Sequence, residues 1–265
     1  IWHRHLKQPR KVTPGKDSMK GAYLGPEYTP EEIETYLKGT GAKYHRPSRE
    51  ELHRQVAKHM ADGKILGWFN GRMEFGPRAL GNRSIIGDAR NPKMQADMNI
   101  KIKFREGFRP FAPSVLRERV HEYFELDGDS PYMLLVAPVK KERQIPMSEK
   151  HSDLWGIDKL NVLRSDIPAV THIDYSARIQ TVTPDTNRDY YDMIKAFEKE
   201  TGCPVVINTS FNVRGEPIVM TPEDAYRCFM RTHIDFLVLG PFILDKTEQP
   251  NWKETADWRQ EFQLD

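Results

Sequence analysis

At 265 residues, the chain has room for one large domain or two modest ones, and for a substantial core. Hydrophobic residues make up 38% and charged residues 29%, with a net charge of +2, a balance too mild to imply nucleic-acid binding by itself. The two cysteines, Cys203 and Cys228, exclude a disulfide framework and suit a reducing cytoplasm, and no run nears the ~20 apolar residues of a membrane helix.

Residues 1–28 are basic, contain Pro and Gly and lack periodicity, so they read as a linker or surface-hugging arm. With Ile1 at its start and no signal peptide, the chain is expected to be a fragment of something longer. Thr29-Pro30-Glu31-Glu32 predicts a helix start, with Thr29 as cap, Pro30 at the first helical position and Glu32 closing a capping box; Gly39 is expected to end it. Ser48-Arg49-Glu50-Glu51 repeats the device, and Leu52, Val56 and Met60 recur at helical spacing until Gly63. Residues 64–69 (KILGWF) read as a buried strand, followed by a Gly- and Arg-rich segment to Arg90. Asn91-Pro92 opens a helix carried by Met94 and Met98. In residues 100–105, Ile100, Ile102 and Phe104 alternate with Lys101, Lys103 and Arg105, and that period of two predicts a strand. Residues 132–139 form an apolar strand, 140–165 a long polar loop and 177–182 a strand. An amphipathic helix over 188–201 ends at Gly202, and 204–208 is a short buried strand. Thr221-Pro222-Glu223-Asp224 starts a helix to about Thr232; strands over 236–239 and 242–244 and a charged tail over 247–265 complete the chain. This interleaving predicts an α/β or α+β fold whose sheet is covered by helices.

Four segments have the residue types for chemistry. In GRMEFGPRALGNRS (residues 71–84), glycines let backbone approach a ligand, and Arg72, Arg78 and Arg83 supply planar cationic forks for phosphate or carboxylate. A solvated loop is the bland alternative, but it has no reason to hold Met73, Phe75, Ala79 and Leu80. If residues 100–105 are a strand, Lys101, Lys103 and Arg105 share one face, which is costly unless an anion neutralises them; an edge strand protected by lysines is the alternative. Asn208-Thr209-Ser210-Phe211-Asn212 follows a buried strand, where open α/β sheets bind ligands, or else makes a polar turn. In residues 171–178, His172 and Asp174 could be acid, base or ligand, and Arg178 a phosphate contact, although a structural His172 fits equally well. No P-loop, HExxH, GxSxG or paired CxxC occurs.

GRMEFGPRALGNRS, KFREGFRPFAPSVL, HIDYSARIQTV and NTSFNVRGEPIV, in that order, resemble signature segments of the C-terminal region of bacterial O-carbamoyltransferases, the nodulation-type and antibiotic-tailoring enzymes. The resemblance spans roughly residues 26–246 and implies a YrdC-like twisted sheet with a basic concave face. It implies that carbamoyl phosphate and ATP, with Mg2+ carried by ATP, are joined into carbamoyl-adenylate. An actin/hexokinase-like N-terminal domain of the same polypeptide would then move the carbamoyl group to an acceptor hydroxyl. Lys103-Phe104-Arg105 and Ser210-Phe211-Asn212 match the Lys-x-Arg and Ser-x-Asn pairs of YrdC-like domains, which implies catalytic roles for Lys103, Arg105, Ser210 and Asn212. Arg72, Arg78, Arg83, Ser84, Lys101, Arg109, Arg178, Asn208 and Thr209 are the expected nucleotide and phosphate contacts. Tyr175 departs from the pattern, which has glycine there. A cytoplasmic enzyme domain over residues 29–246 follows, with no membrane or nucleic-acid partner expected. A YrdC-like RNA-binding module is the rival reading, since Phe104, Phe108 and Phe111 interleave with cations. A purely structural half is a third.

Overall fold

The computed structural model describes residues 1, 2, 4–9, 17–148, 154, 156, 159 and 162–252. Parts of the expected arm, of the 140–165 loop and of the C-terminal tail lie outside the described residues. The centre is an eight-stranded mixed sheet in the order β4-β5-β3-β6-β2-β1-β7-β8. Its strands are β1 (Leu66–Phe69), β2 (Arg83–Asp88), β3 (Ala112–Leu116), β4 (Leu135–Pro138), β5 (Ser176–Val182), β6 (Val205–Ser210), β7 (Phe236–Leu239) and β8 (Phe242–Asp245). Pairs β3/β5 and β1/β7 are parallel and the rest antiparallel. This is the α/β class expected from the interleaving.

Three helices start where their caps predict, whereas the one expected to open at Asn91-Pro92 starts at Met94 without a side-chain cap. Helix α1 (Pro30–Thr40) opens with a capping box in which Thr29 Oγ1 accepts from the Glu32 amide and Glu32 accepts from the Thr29 amide. It runs past Gly39 and stops at Gly41, whose φ of 70° is the left-handed ending. Helix α2 (Arg49–Ala61) is capped by Ser48, and α6 (Pro222–Arg231) by a Thr221/Asp224 box. After the one-turn helix α4 (Val120–Tyr123), helix α5 (Arg188–Thr201) ends at Gly202 as expected. α2 and α5 pack together, and the Trp68 side chain of β1 meets Tyr190 of α5 with ring centroids 6.4 Å apart. Helix α3 (Met94–Met98) covers the opposite face at Gly87, whose missing side chain admits Met94 and Met98.

The strand expected at residues 100–105 is not formed. Asn99–Lys103 continues α3 as a π-helical turn, ended by Phe104 in a left-handed conformation (φ 48°, ψ 48°). Met94, Met98 and Ile102, four residues apart, are all buried, and this helical row outweighs the short alternation. Lys101 therefore points outward to Asp97, 2.9 Å away, while Lys103 turns into the protein. The three cations do not share a face. Strands β2 and β3, which no alternation marked, are central and buried along their whole length. The expected arm is partly docked: the Gly25 amide donates to the Met73 carbonyl, the Met73 amide to the Pro26 carbonyl and the Phe75 amide to the Ala22 carbonyl.

Gly81 shows how tightly the 71–83 segment is seated. It has φ 106°, and a β-carbon there would lie 2.3 Å from the Tyr190 ring. Gly81→Ala combines overpacking with a disfavoured backbone and is expected to cost about 3 kcal/mol. Thermal denaturation checks it: a midpoint roughly 6–12 °C lower is expected, and an unchanged midpoint refutes the packing argument.

Candidate anion-binding site

Where β3 and β5 begin and β6 ends, a small cleft of about 150 Å3 opens, lined by Arg78, Arg105, Arg178, Asn208, Thr209 and Ser210 among polar side chains. Pro77, Ala79, Pro110, Phe111, Ala112 and Met133 complete its walls, so no carboxylate of the described residues lines it. Each arginine arrives from a different element. Arg178 stands on β5, paired with Val136 of the edge strand β4. Arg105 follows the left-handed Phe104; its Nε donates to Asn99 Oδ1 at 2.6 Å and its guanidinium lies 5.1 Å from the Phe111 ring centroid. Arg78 lies in the 76–82 loop, whose carbonyl at Ala79 accepts from Asn208 Nδ2 at 3.1 Å.

That loop is held from beneath. Glu74 is buried, and its Oε1 accepts from the amides of Leu80 (2.7 Å), Asn82 (2.7 Å) and Arg83 (3.3 Å). Burial pushes its carboxyl above the ordinary range, while those amides and Arg83 oppose the push. Gln180 Oε1 accepts from Ser114 Oγ at 2.6 Å and Asn208 Nδ2 at 2.8 Å, and its Nε2 donates to the Leu80 carbonyl at 2.7 Å. Sequence reasoning missed Glu74, Ser114 and Gln180. A glutamine inside an otherwise buried strand was the available signal, because buried amides demand partners.

The electrostatics are one-sided. Burial and then the neighbouring Arg78 lower the Arg178 pKa; burial and then Arg109 bring that of Arg105 down to about 10. The Nε atoms of Arg78 and Arg178 and the Oδ1 of Asn208 are buried without a hydrogen-bond partner. Buried polar groups are nearly always satisfied. Two orphaned donors and one orphaned acceptor beside three cations are groups that an anion carrying an N–H could satisfy.

Lys103 and Asn212 stand behind this cleft instead of lining it. The buried Lys103 ammonium donates to the Ser210 carbonyl, to Ser210 Oγ (3.4 Å), to the Asn212 carbonyl (2.9 Å) and to Asn212 Oδ1 (2.8 Å). Ser210 Oγ donates to Asn212 Oδ1 at 2.7 Å, and Asn212 Nδ2 donates to the Glu216 carbonyl at 2.6 Å. Lys103 thus shapes the loop that presents Ser210. Burial, then the Arg105 charge, pull its pKa down to about 7, against an ordinary 10.5. Because the unfolded chain holds the proton more tightly, this group makes stability rise as pH increases from about 7 towards 10.5. One proton limits the rise to about 1.4 kcal/mol per pH unit, and the four acceptors, which favour the charged form, keep it below that limit. Lys103→Met is expected to flatten the stability–pH profile between pH 7 and 9 in urea titrations; a slope equal to wild type refutes the assignment.

Five expected contacts are placed elsewhere. Arg83 is fully buried and gives its guanidinium to the carbonyls of Asn70, Gly71, Asn82 and Pro26, so no phosphate reaches it. Ser84 is buried in β2, its Oγ accepting from the Gly81 amide at 3.1 Å. Arg72 binds the arm through the Gly25 carbonyl (3.0 Å) and Glu27 (3.1 Å). Lys101 is turned outward, and Arg109 pairs with Glu106 at 2.9 Å. Tyr175 adopts a left-handed conformation (φ 64°), the region in which glycine is at ease. Its hydroxyl offsets that strain by donating to the Ile145 carbonyl (3.1 Å) and accepting from the Met147 amide (3.2 Å).

A wider groove of about 900 Å3 lies between α2 and α5. Its charges neutralise one another: Arg49 pairs with Asp189 and Asp192, Arg188 with Asp192 and Lys195 with Glu198. It is larger than the arginine cleft, but most of its charges are paired and both signs line it. Among the described residues, no group of three His, Cys, Asp or Glu is placed to hold a metal, and no helix is long and apolar enough to cross a membrane.

The chain is similar over its whole length to an uncharacterised protein of Synechocystis, at 59% identity, spanning 43% of that relative. It is 38% identical to the nodulation protein NolNO of Sinorhizobium fredii, over 91% of this chain and 33% of that one. It is 32% identical to the 3'-hydroxymethylcephem-O-carbamoyltransferase of Streptomyces clavuligerus, over 71% of this chain and 32% of that one. The chain thus spans between a third and about two fifths of the length of these relatives. The model of the family described as carbamoyltransferase C-terminus matches residues 57–246, which include every residue of the arginine cleft, and the chain belongs to that family.

Proposed function

We propose that this chain is the carbamoyl-activating portion of an O-carbamoyltransferase and that the arginine cleft is where activation occurs. One observation carries the reading: three arginines face a cleft without a carboxylate, and the buried Nε of Arg78, Nε of Arg178 and Oδ1 of Asn208 lack partners. Carbamoyl phosphate meets both needs, with phosphate oxygens for the arginines and an amino group for Asn208. Cleavage of carbamoyl phosphate with water releases phosphate and carbamate. A carbamate oxygen then attacks the α-phosphorus of ATP, and pyrophosphate leaves with the electron pair of the broken bond, giving carbamoyl-adenylate.

The protein's contribution is placement and charge neutralisation. Arg78, Arg105 and Arg178 bind phosphate oxygens, Ser210 orients the reacting group from the end of β6, and Lys103 with Asn212 fixes that end. The cleft offers no carboxylate to a bare cation, so Mg2+ belongs, in this reading, to the phosphates of ATP. Transfer to an acceptor hydroxyl falls to an actin/hexokinase-like N-terminal domain, in keeping with the greater length of the relatives. The YrdC-like architecture and the boundaries at residues 28 and 246 belong to the same proposal.

The test is ATP–pyrophosphate exchange that depends on carbamoyl phosphate. Exchange is expected from the folded chain. Its absence in a folded sample that also fails to bind ATP would sink the reading.

A further inference from the structure

The arm reaches the arginine cleft from two sides. On one side, the Tyr23 hydroxyl donates to the Leu80 carbonyl at 2.8 Å and accepts from Asn187 Nδ2 at 3.2 Å. Leu80 lies in the loop that carries Arg78 into the cleft. On the other side, the Tyr132 hydroxyl donates to the Asp17 carboxylate, which also accepts from the amides of Met19 (2.9 Å) and Gly21 (2.7 Å). Tyr132 precedes Met133, a cleft wall whose Sδ lies 4.0 Å from a terminal nitrogen of Arg178. Ala22, Leu80, Ala112 and Met133 form a small buried cluster apart from the main core, with Tyr23 and Tyr132 packed against it. Ala112 and Met133 are also cleft walls, so the arm packs directly behind the site.

We propose that residues 17–23 are a strap that sets the spacing of Arg78 and Arg178, and that Asp17 and Tyr23 are positioning residues for the anion site. The inference rests on the anion-binding reading above and adds an element outside the cleft that controls it. Arg78 and Arg178 come from different elements, and their like charges oppose one another. No carboxylate of the described residues lines the cleft to hold them together, so their spacing depends on how their carriers are anchored. The arm anchors both carriers through two tyrosine hydroxyls. It does so against local strain: Lys20 and Ala22 have φ of 51° and 65°, a left-handed backbone that residues with a β-carbon rarely adopt. Such a conformation persists only while its surroundings over-determine it. Strap docking and anion binding are therefore coupled, and the coupling is reciprocal: if the docked strap favours the anion, the anion favours the docked strap by the same factor. Arg83 holds the arm further along, at Pro26, by a separate contact.

The experiment measures two quantities on the 265-residue chain: inorganic pyrophosphate binding by calorimetry, and the rate of trypsin cleavage after Lys20 by mass spectrometry. Saturating pyrophosphate is expected to slow that cleavage about fivefold. Tyr23→Phe removes one hydroxyl and keeps the ring, and Asp17→Ala changes an exposed residue. Each is expected to weaken pyrophosphate about fivefold, the effect of one hydrogen bond, with an unchanged thermal midpoint and faster cleavage after Lys20. A residue that only stabilises the fold would not make cleavage answer to pyrophosphate. Should Tyr23→Phe melt early, the exposed Asp17→Ala variant and the wild-type protection still decide. If pyrophosphate binds the wild type but leaves cleavage unchanged, or if Asp17→Ala binds it as the wild type does, the strap is wrong and the anion cleft stands. If pyrophosphate does not bind the wild-type chain, the cleft itself is wrong and this inference falls with it.

Discussion

Replacing Arg178 with alanine is expected to lower carbamoyl-phosphate-dependent ATP–pyrophosphate exchange about 100-fold while leaving the fold as stable as before. A charge-assisted hydrogen bond is worth roughly 1.5–3 kcal/mol, and the Arg178 Nε is buried without any protein partner, so its hydrogen-bonding capacity is left for a ligand. A 100-fold loss corresponds to about 2.7 kcal/mol, one such bond near the top of that range. Stability is not expected to fall because, without ligand, the Arg178 charge is partly desolvated and is repelled by the Arg78 charge. Removing a like charge from such a neighbourhood relieves repulsion. Arg178→Lys is expected to recover only part of the activity, since an ammonium restores the charge but not the planar fork. Exchange within twofold of wild type in Arg178→Ala, or a large drop in thermal midpoint, would show that Arg178 serves the fold instead.

Much of the fold is legible in the sequence because it is written in local chemistry. The caps at Thr29, Ser48 and Thr221 and the left-handed Gly202 act within a few residues, and so the helices begin, and α5 ends, where those residues stand. Residues 100–105 mislead because six residues satisfy a period of two while the same stretch continues the Met94–Met98–Ile102 row. A longer window containing α3 favours the helix. β2 and β3 are hidden for another reason: strands buried on both faces do not alternate.

The cleft is legible as a cluster of cations and a polar strand end at Asn208, Thr209 and Ser210, but not as one place. Which arginines face a ligand depends on tertiary partners that no local pattern encodes. Arg72 finds Glu27, Arg109 finds Glu106 and Arg83 finds four carbonyls, whereas Arg78 and Arg178 line one cleft and repel each other. The motif resemblance links Lys103 with Ser210 and Asn212, and the structure does bring the three into hydrogen-bonding contact. It does so through a buried ammonium that supports the loop, an arrangement the motif alone does not disclose.

Arg83→Leu is expected to have the opposite signature to Arg178→Ala: a loss of about 3–5 kcal/mol of stability, read as a thermal midpoint lower by roughly 10 °C or more. The guanidinium is wholly buried, stacks 3.5 Å from the Phe69 ring centroid, and donates to Asn82 (2.9 Å), Asn70 (3.1 Å), Gly71 (3.1 Å) and Pro26 (3.2 Å) carbonyls. Leucine fills part of the volume but leaves those carbonyls without a donor and Glu74 without its nearby positive charge. Since Pro26 belongs to the arm and Asn70 to Asn82 frame the glycine-rich segment, the same loss should free both, which proteolysis of the arm at low temperature can detect. Arg83→Lys keeps the charge but cannot span four acceptors, so an intermediate midpoint is expected. A variant that stays as stable as wild type yet loses ATP would return Arg83 to the phosphate site. One that melts early but binds ATP normally when cold would show that two arginines five residues apart, Arg78 and Arg83, divide the work between ligand and scaffold.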